Sequence, residues 1–151
     1  MRAVGGREVR RREPGAAVGQ TGTVIIAVGT DLVDVTRLEA RLRRTPSLAA
    51  RLLTDGELAA CAGRTESLAA RLAAKEAVLK ALGGALAEAG EAEPRDWSFR
   101  EIEVHGGRGT APALRLSGVT ASTADRVGVR RWYLSLAHDA GLAQAFVVAE
   151  G

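Results

Sequence analysis

Along "LAARLAAKEAVLKALGG", Leu68 to Gly84, apolar residues recur at the spacing of a helix. Leu68, Leu72, Leu79 and Leu82 form one stripe, and Lys75 falls inside it. Glu76 and Lys80 lie four apart on a neighbouring face, shared with Ala69 and Ala73. Small residues on that face let another group come close to the helix backbone. Thr65-Glu66-Ser67 predicts the entry of this helix and Gly83-Gly84 its stop. Upstream, "VIIAV" predicts a short strand, Val24 to Val28, ending at Gly29-Thr30-Asp31. Thr36-Arg37-Leu38-Glu39 fits a capping box opening a helix to about Arg44, and Pro46 breaks the chain. A second box, Thr54 to Glu57, opens a short helix through Cys61.

From Trp97 the period changes to two. "WSFREIEVHGGRGTAPALRLSG" predicts two strands around a Gly-rich turn, followed by a short helix at Ala121–Val127. "WYLSLAHDAGLAQAFVVAE" predicts two more strands joined at His138-Asp139-Ala140-Gly141. Helices gather in the first half and antiparallel strands in the second, which is an α+β domain. A chain of 151 residues is one domain's worth. At 3% aromatic, its core must be built from Leu, Val, Ile and Ala. A single cysteine, Cys61, excludes an internal disulfide and a Cys-based zinc site, and reads as a small core hydrophobe. His105 and His138 are too few for a His-rich metal centre. No apolar run approaches the roughly 20 residues of a membrane span, and the expected location is the cytoplasm.

The net charge of +3 belongs to residues 1–23, which hold five Arg against Glu8 and Glu13. Residues 24–151 are neutral, so nucleic-acid binding is not expected of the domain. Residues 1–23 have Gly and Pro punctuation and almost no large apolar side chains, and are expected to be disordered. The folded domain is expected at 24–151; a basic arm for an anionic partner is the alternative use of the tail. One local excess remains: Arg37, Arg41, Arg43, Arg44 and Arg51 face a single acid, Glu39.

Two carboxylates invite chemistry. With Thr36 read as the helix cap, Asp31 has no structural task of its own. Paired with Glu76 it makes a hard-cation site, because Mg²⁺ takes one or two carboxylates and completes its shell with water and phosphate. Lys80, one turn on, then neutralises a phosphate. An ordinary surface Glu76–Lys80 pair, worth about 0.2–0.5 kcal/mol, is the plainer reading.

Five blocks occur in order: "VIIAVGTDLVDVTRLE", "LTDGELAAC", "LAARLAAKEAVLKALG", "WSFREIEV" and "WYLSLAHDAGLAQAFVVAEG". From Val24 to Gly151 the chain resembles the holo-acyl-carrier-protein synthases, the small single-domain 4′-phosphopantetheinyl transferases. The resemblance implies transfer of the phosphopantetheine arm of coenzyme A to a serine of apo-acyl carrier protein, releasing adenosine 3′,5′-bisphosphate. Such a reaction belongs to fatty acid biosynthesis and lipid metabolism. It implies Mg²⁺ on Asp31 and Glu76, and Lys80 on the phosphate being cleaved. Glu76 is the nearest acceptor for the serine proton, directly or through a metal-bound water. Gly83 and His138 are implied at coenzyme A, and Arg37 and Arg44 at the acidic carrier protein. Lys75 is expected to bury its stem and send its ammonium either to a coenzyme A phosphate or to a structural carboxylate. A homotrimer with active sites between subunits is implied as well. Two departures stand out. Ser135-Leu136-Ala137-His138 lacks one hydroxyl of the family's block, and Gly109-Thr110-Ala111-Pro112 lacks the lysine of its turn.

Overall fold

A computed structural model describes residues 22–107 and 109–151. Residues 1–21, most of the tail expected to be disordered, lie outside the described residues. The chain runs β1 (Ile25–Asp34), α1 (Val35–Arg44), α2 (Leu48–Leu52), α3 (Asp55–Cys61) and α4 (Thr65–Glu88). A 3₁₀ turn (Phe99–Glu101) then leads into β2 (Ile102–Gly107) and β3 (Thr110–Leu116). α5 (Gly118–Arg126), β4 (Arg131–Asp139) and β5 (Leu142–Glu150) complete it. β1, β5 and β4 form an antiparallel sheet in that order, and β2 and β3 form a hairpin. This is the α+β arrangement expected, with four of the five helices in the first half and four of the five strands in the second.

α4 is the spine. Ala73, Ala74, Ala77, Val78, Ala81 and Leu82 are buried against Ala145, Val147 and Ala149 of β5 and Ile102 and Val104 of β2. The small residues, more than the Leu stripe, form the contact with the sheet: Leu72 and Leu79 are only partly covered. α4 shows no strong amphipathic bias because its buried side carries Arg71 and Lys75 as well as apolar residues.

Three local expectations are corrected. β1 does not end at Val28; it continues to Asp34 because every residue from Ala27 to Asp34 pairs with β5, in a register that sets Gly29 opposite Val147 and Asp31 opposite Ala145. Gly29 marks a close approach: a Cβ there would overlap the carbonyl oxygen of Ala77 and lie 3.1 Å from the Ala81 Cβ. The cap of α1 is Asp34, whose carboxylate accepts from Arg37 N at 2.8 Å, so Thr36 lies inside the helix. The Gly83-Gly84 pair does not stop α4, which runs on to Glu88. Two interior glycines cost about 2 kcal/mol together. Leu86, fully buried, returns about 1.5–3 kcal/mol and Ala85 is also buried, so packing carries the helix through.

Other expectations hold with small shifts. The Thr54–Glu57 capping box is present in full, and Cys61 is fully buried. Trp97 to Glu101 is a loop and 3₁₀ turn instead of strand, so the hairpin begins at Ile102. α5 begins at Gly118. Ala140 and Gly141, both with positive φ, make the two-residue turn between β4 and β5.

Candidate active site

The register of β1 turns Asp31 toward the helix-covered face of the sheet, two residues beyond the glycine that admits α4. Lys80 of α4 meets it there: its Nζ lies 2.5 Å from Asp31 Oδ1 and 3.3 Å from the Thr30 carbonyl oxygen. The pair that forms is therefore Lys80–Asp31, in place of the Glu76–Lys80 surface pair considered from spacing. One turn earlier on α4, Glu76 shares with Asp31 a cleft of about 390 Å³. Arg37, Leu38, Arg41, Leu72 and Leu142 also line it.

The electrostatics follow from this crowding. Partial burial pushes the Glu76 carboxyl above its usual value, and the nearby Asp31 carboxylate pushes it further; Lys80 opposes both. Two carboxylates thus face one cleft under mutual repulsion, with Lys80 held on one of them. A divalent cation would relieve that repulsion, and water and phosphate oxygens could complete its shell. Among the described residues no group of three or more His, Cys, Asp and Glu could hold a metal. Asp34 also lines the cleft, but its carboxylate caps α1, which leaves Asp31 and Glu76 as the pair that could hold a divalent cation.

The remaining expected residues divide. Lys75 is fully buried, with its Nζ 2.7 Å from Glu57 Oε2 and 2.8 Å from the Phe99 carbonyl oxygen; the Ile102 carbonyl oxygen accepts a third bond. Of the two roles left open for it, the structural carboxylate is the one found. The expected contact of Lys75 with coenzyme A does not fit this geometry, because its ammonium has no exposed surface and is held by three acceptors. Burial holds its pKa below the ordinary lysine value, against the pull of Glu57. Gly83 is buried within α4, under the side chain of Glu93. His138 is exposed near the β4–β5 turn, lining hollows that meet the cleft through Leu32 and Leu142. Arg44 does not line the cleft; its Nε bonds the Ala40 carbonyl oxygen at 3.3 Å.

Glu57 and Arg41 were not singled out from sequence. Glu57 looked like a helix-capping residue and nothing in its spacing shows the buried lysine it neutralises. Arg41 stood only as one charge in the run from Arg37 to Arg51, and being one turn beyond Arg37 was the available signal.

A family profile described as the 4′-phosphopantetheinyl transferase superfamily matches residues 27–147. The chain belongs to that superfamily. Its relatives include the holo-[acyl-carrier-protein] synthase of Streptomyces coelicolor, 48% identical over 130 residues, covering 84% of this chain and 98% of the relative. That of Frankia casuarinae is 46% identical over 126 residues, with 83% and 98% covered. The crystal structure of Helicobacter pylori holo-[acyl-carrier-protein] synthase in complex with coenzyme A matches with a TM-score of 0.67 and 29% identity, covering 81% of this chain and 98% of that one. Fold and sequence agree with the resemblance read from the five blocks, and place the chain among the holo-acyl-carrier-protein synthases of this superfamily.

Proposed function

We propose that this protein transfers the 4′-phosphopantetheine group of coenzyme A to a serine hydroxyl of apo-acyl carrier protein, with Asp31, Glu76 and Lys80 as its catalytic set. The observation that carries the proposal is the convergence on Asp31 of both other charges: Glu76 shares its cleft, and Lys80 is paired with it at 2.5 Å. Asp31 and Glu76 would hold Mg²⁺. When bound, that ion supplies Lewis acidity to the pyrophosphate whose P–O bond breaks. The serine Oγ attacks the phosphorus carrying pantetheine, and the bond to adenosine 3′,5′-bisphosphate leaves with its electron pair. Lys80, more than half exposed, can turn from Asp31 to the leaving phosphate as charge develops there. Glu76 takes the serine proton, and its position in the partly buried cleft keeps it within reach of a hydroxyl presented from outside.

Arg37 lines the cleft and Arg44 sits on the last turn of the same helix; together they suit the acidic surface of a carrier protein. Gly83 and His138 keep the roles at coenzyme A that the family pattern assigns. Coenzyme A as co-substrate is supported by relatives solved with it. A homotrimer with sites between subunits is favoured by the outer face of the three-stranded sheet. Val28, Leu32, Tyr133 and Phe146 lie there, each between 46% and 56% exposed, a patch that a second copy of the chain would cover. No helix among the described residues is long and apolar enough to cross a membrane; the cytoplasm, where carrier protein and coenzyme A meet, is the proposed location. The test is to incubate the protein with coenzyme A, Mg²⁺ and apo-carrier protein and weigh the carrier intact. A mass gain of one phosphopantetheine that chelation abolishes is expected. A carrier of unchanged mass would refute the proposal, and light scattering on the same sample reads the assembly.

A further inference from the structure

Gly83 is a bare Cα in the middle of a helix, at a position where Ala would be better by about 1 kcal/mol. Such a glycine is placed where something comes close to the backbone, and here that is a carboxylate. A Cβ on Gly83 would overlap Glu93 Oε1 and lie 3.3 Å from its Cδ. Glu93 comes from the loop after α4. With Leu79, Lys80, Pro94 and Trp97 it lines a hollow of about 300 Å³. Lys80 and Gly83, three apart, share one helix face. Trp97 on the same hollow has its buried indole Nε1 without a hydrogen-bond partner. Among the described residues no hydrogen bond or ion pair engages the Glu93 carboxylate. Lys80, whose ammonium is held by Asp31, thus shares a hollow with an acid that has no partner of its own among the described residues and that lies against the bare Cα of Gly83.

We infer that Glu93 competes with a phosphate of coenzyme A for the seat formed by Gly83 and Lys80, and so sets the enzyme's affinity for that co-substrate. The inference rests on the reading of Lys80 and Gly83 as coenzyme A residues. A phosphate settling on this face must displace the carboxylate, and the fraction of molecules with Glu93 swung away scales the apparent affinity. Glu93→Gln keeps the side chain's size and removes its charge; Glu93→Ala removes both.

The experiment compares the parent, Glu93→Gln and Glu93→Ala by calorimetry with coenzyme A and with dephospho-coenzyme A in Mg²⁺ buffer, alongside transfer kinetics. Glu93→Gln should lower Kd and KM for coenzyme A about two- to fivefold, Glu93→Ala at least as much, and raised salt should shrink the gain of Glu93→Gln. A gain with both ligands assigns the seat to the pyrophosphate, and a gain with coenzyme A alone assigns it to the 3′-phosphate. Unchanged or weaker binding in both variants overturns the inference and leaves the transferase reading standing. A parent that binds coenzyme A without transferring from it refutes that reading alone, and the Kd comparison still decides Glu93. A parent that does not bind coenzyme A overturns both.

Discussion

Replacing Lys75 by Met removes a cation with no exposed side-chain surface from a carboxylate that is 1% exposed. Glu57 would keep its bonds from Thr54 N at 2.8 Å and Val104 N at 2.9 Å but lose its counter-ion. The Phe99 and Ile102 carbonyl oxygens would lose their donor. Breaking a buried pair from one side costs about 3–5 kcal/mol, because the partner charge stays buried. For a domain of this size that is a fall in Tm of about 9–15 °C. Glu57→Leu should also be severe, since it strips the acceptor from two backbone N–H groups and leaves the ammonium alone. The double variant should be less damaging than the two singles added together, by about 1–3 kcal/mol, because neither leaves an isolated charge. Urea unfolding of the four proteins measures the cycle, and transfer kinetics below the melt should show KM for coenzyme A unchanged in Lys75→Met. Lys75→Met with parent stability and a raised KM would refute the reasoning and return Lys75 to the ligand. Purely additive singles would show that the pair does not lock α3, α4 and β2 together.

Asp31→Asn and Glu76→Gln should each nearly abolish transfer while the fold survives. The Glu76 carboxyl titrates higher in the fold than in the unfolded chain, so its contribution is fully present below the unfolded pKa and lost as pH rises through the folded one. In chelating buffer Glu76→Gln should therefore match or exceed the parent's stability at pH 8, and thermal melts that show it clearly weaker there would contradict the crowded-carboxylate picture. Gly29→Ala pushes a methyl into the Ala77 carbonyl oxygen and should cost about 3 kcal/mol or more. It should also lower transfer by moving Asp31 off Lys80; a parent-like melt would mean that β1 and α4 approach less closely than described. Arg37→Glu should raise KM for carrier protein more than Arg44→Glu, since only Arg37 lines the cleft, with raised salt shrinking both effects. Equal saturation curves for both variants and parent would move the docking surface elsewhere.

Much of the fold was legible because its signals are local. The Thr54–Glu57 box, the helical period from Leu68 to Leu82, and the two strand patterns of β4 and β5 each reside within a dozen residues or so, and each appears in the structure. Asp31, Glu76 and Lys80 were picked out by residue type and by ordered blocks. What spacing could not decide was the partner each charge would choose. Lys75 and Lys80 are chemically alike and five residues apart, yet one is sealed against Glu57 and the other stands at the cleft on Asp31, a difference set by which face of α4 meets β2 and which meets β1. Gly29 and Gly83-Gly84 looked like breaks, because a glycine's local cost favours ending an element. Sheet pairing with β5 and burial of Leu86 exceed that cost, and the bare Cα atoms of Gly29 and Gly83 became places of close approach instead. Residue type and period determined the elements and the chemical inventory of this protein. Only tertiary packing, through strand register and the helix face turned toward each strand, decided which charges are buried as structure and which stand at the cleft.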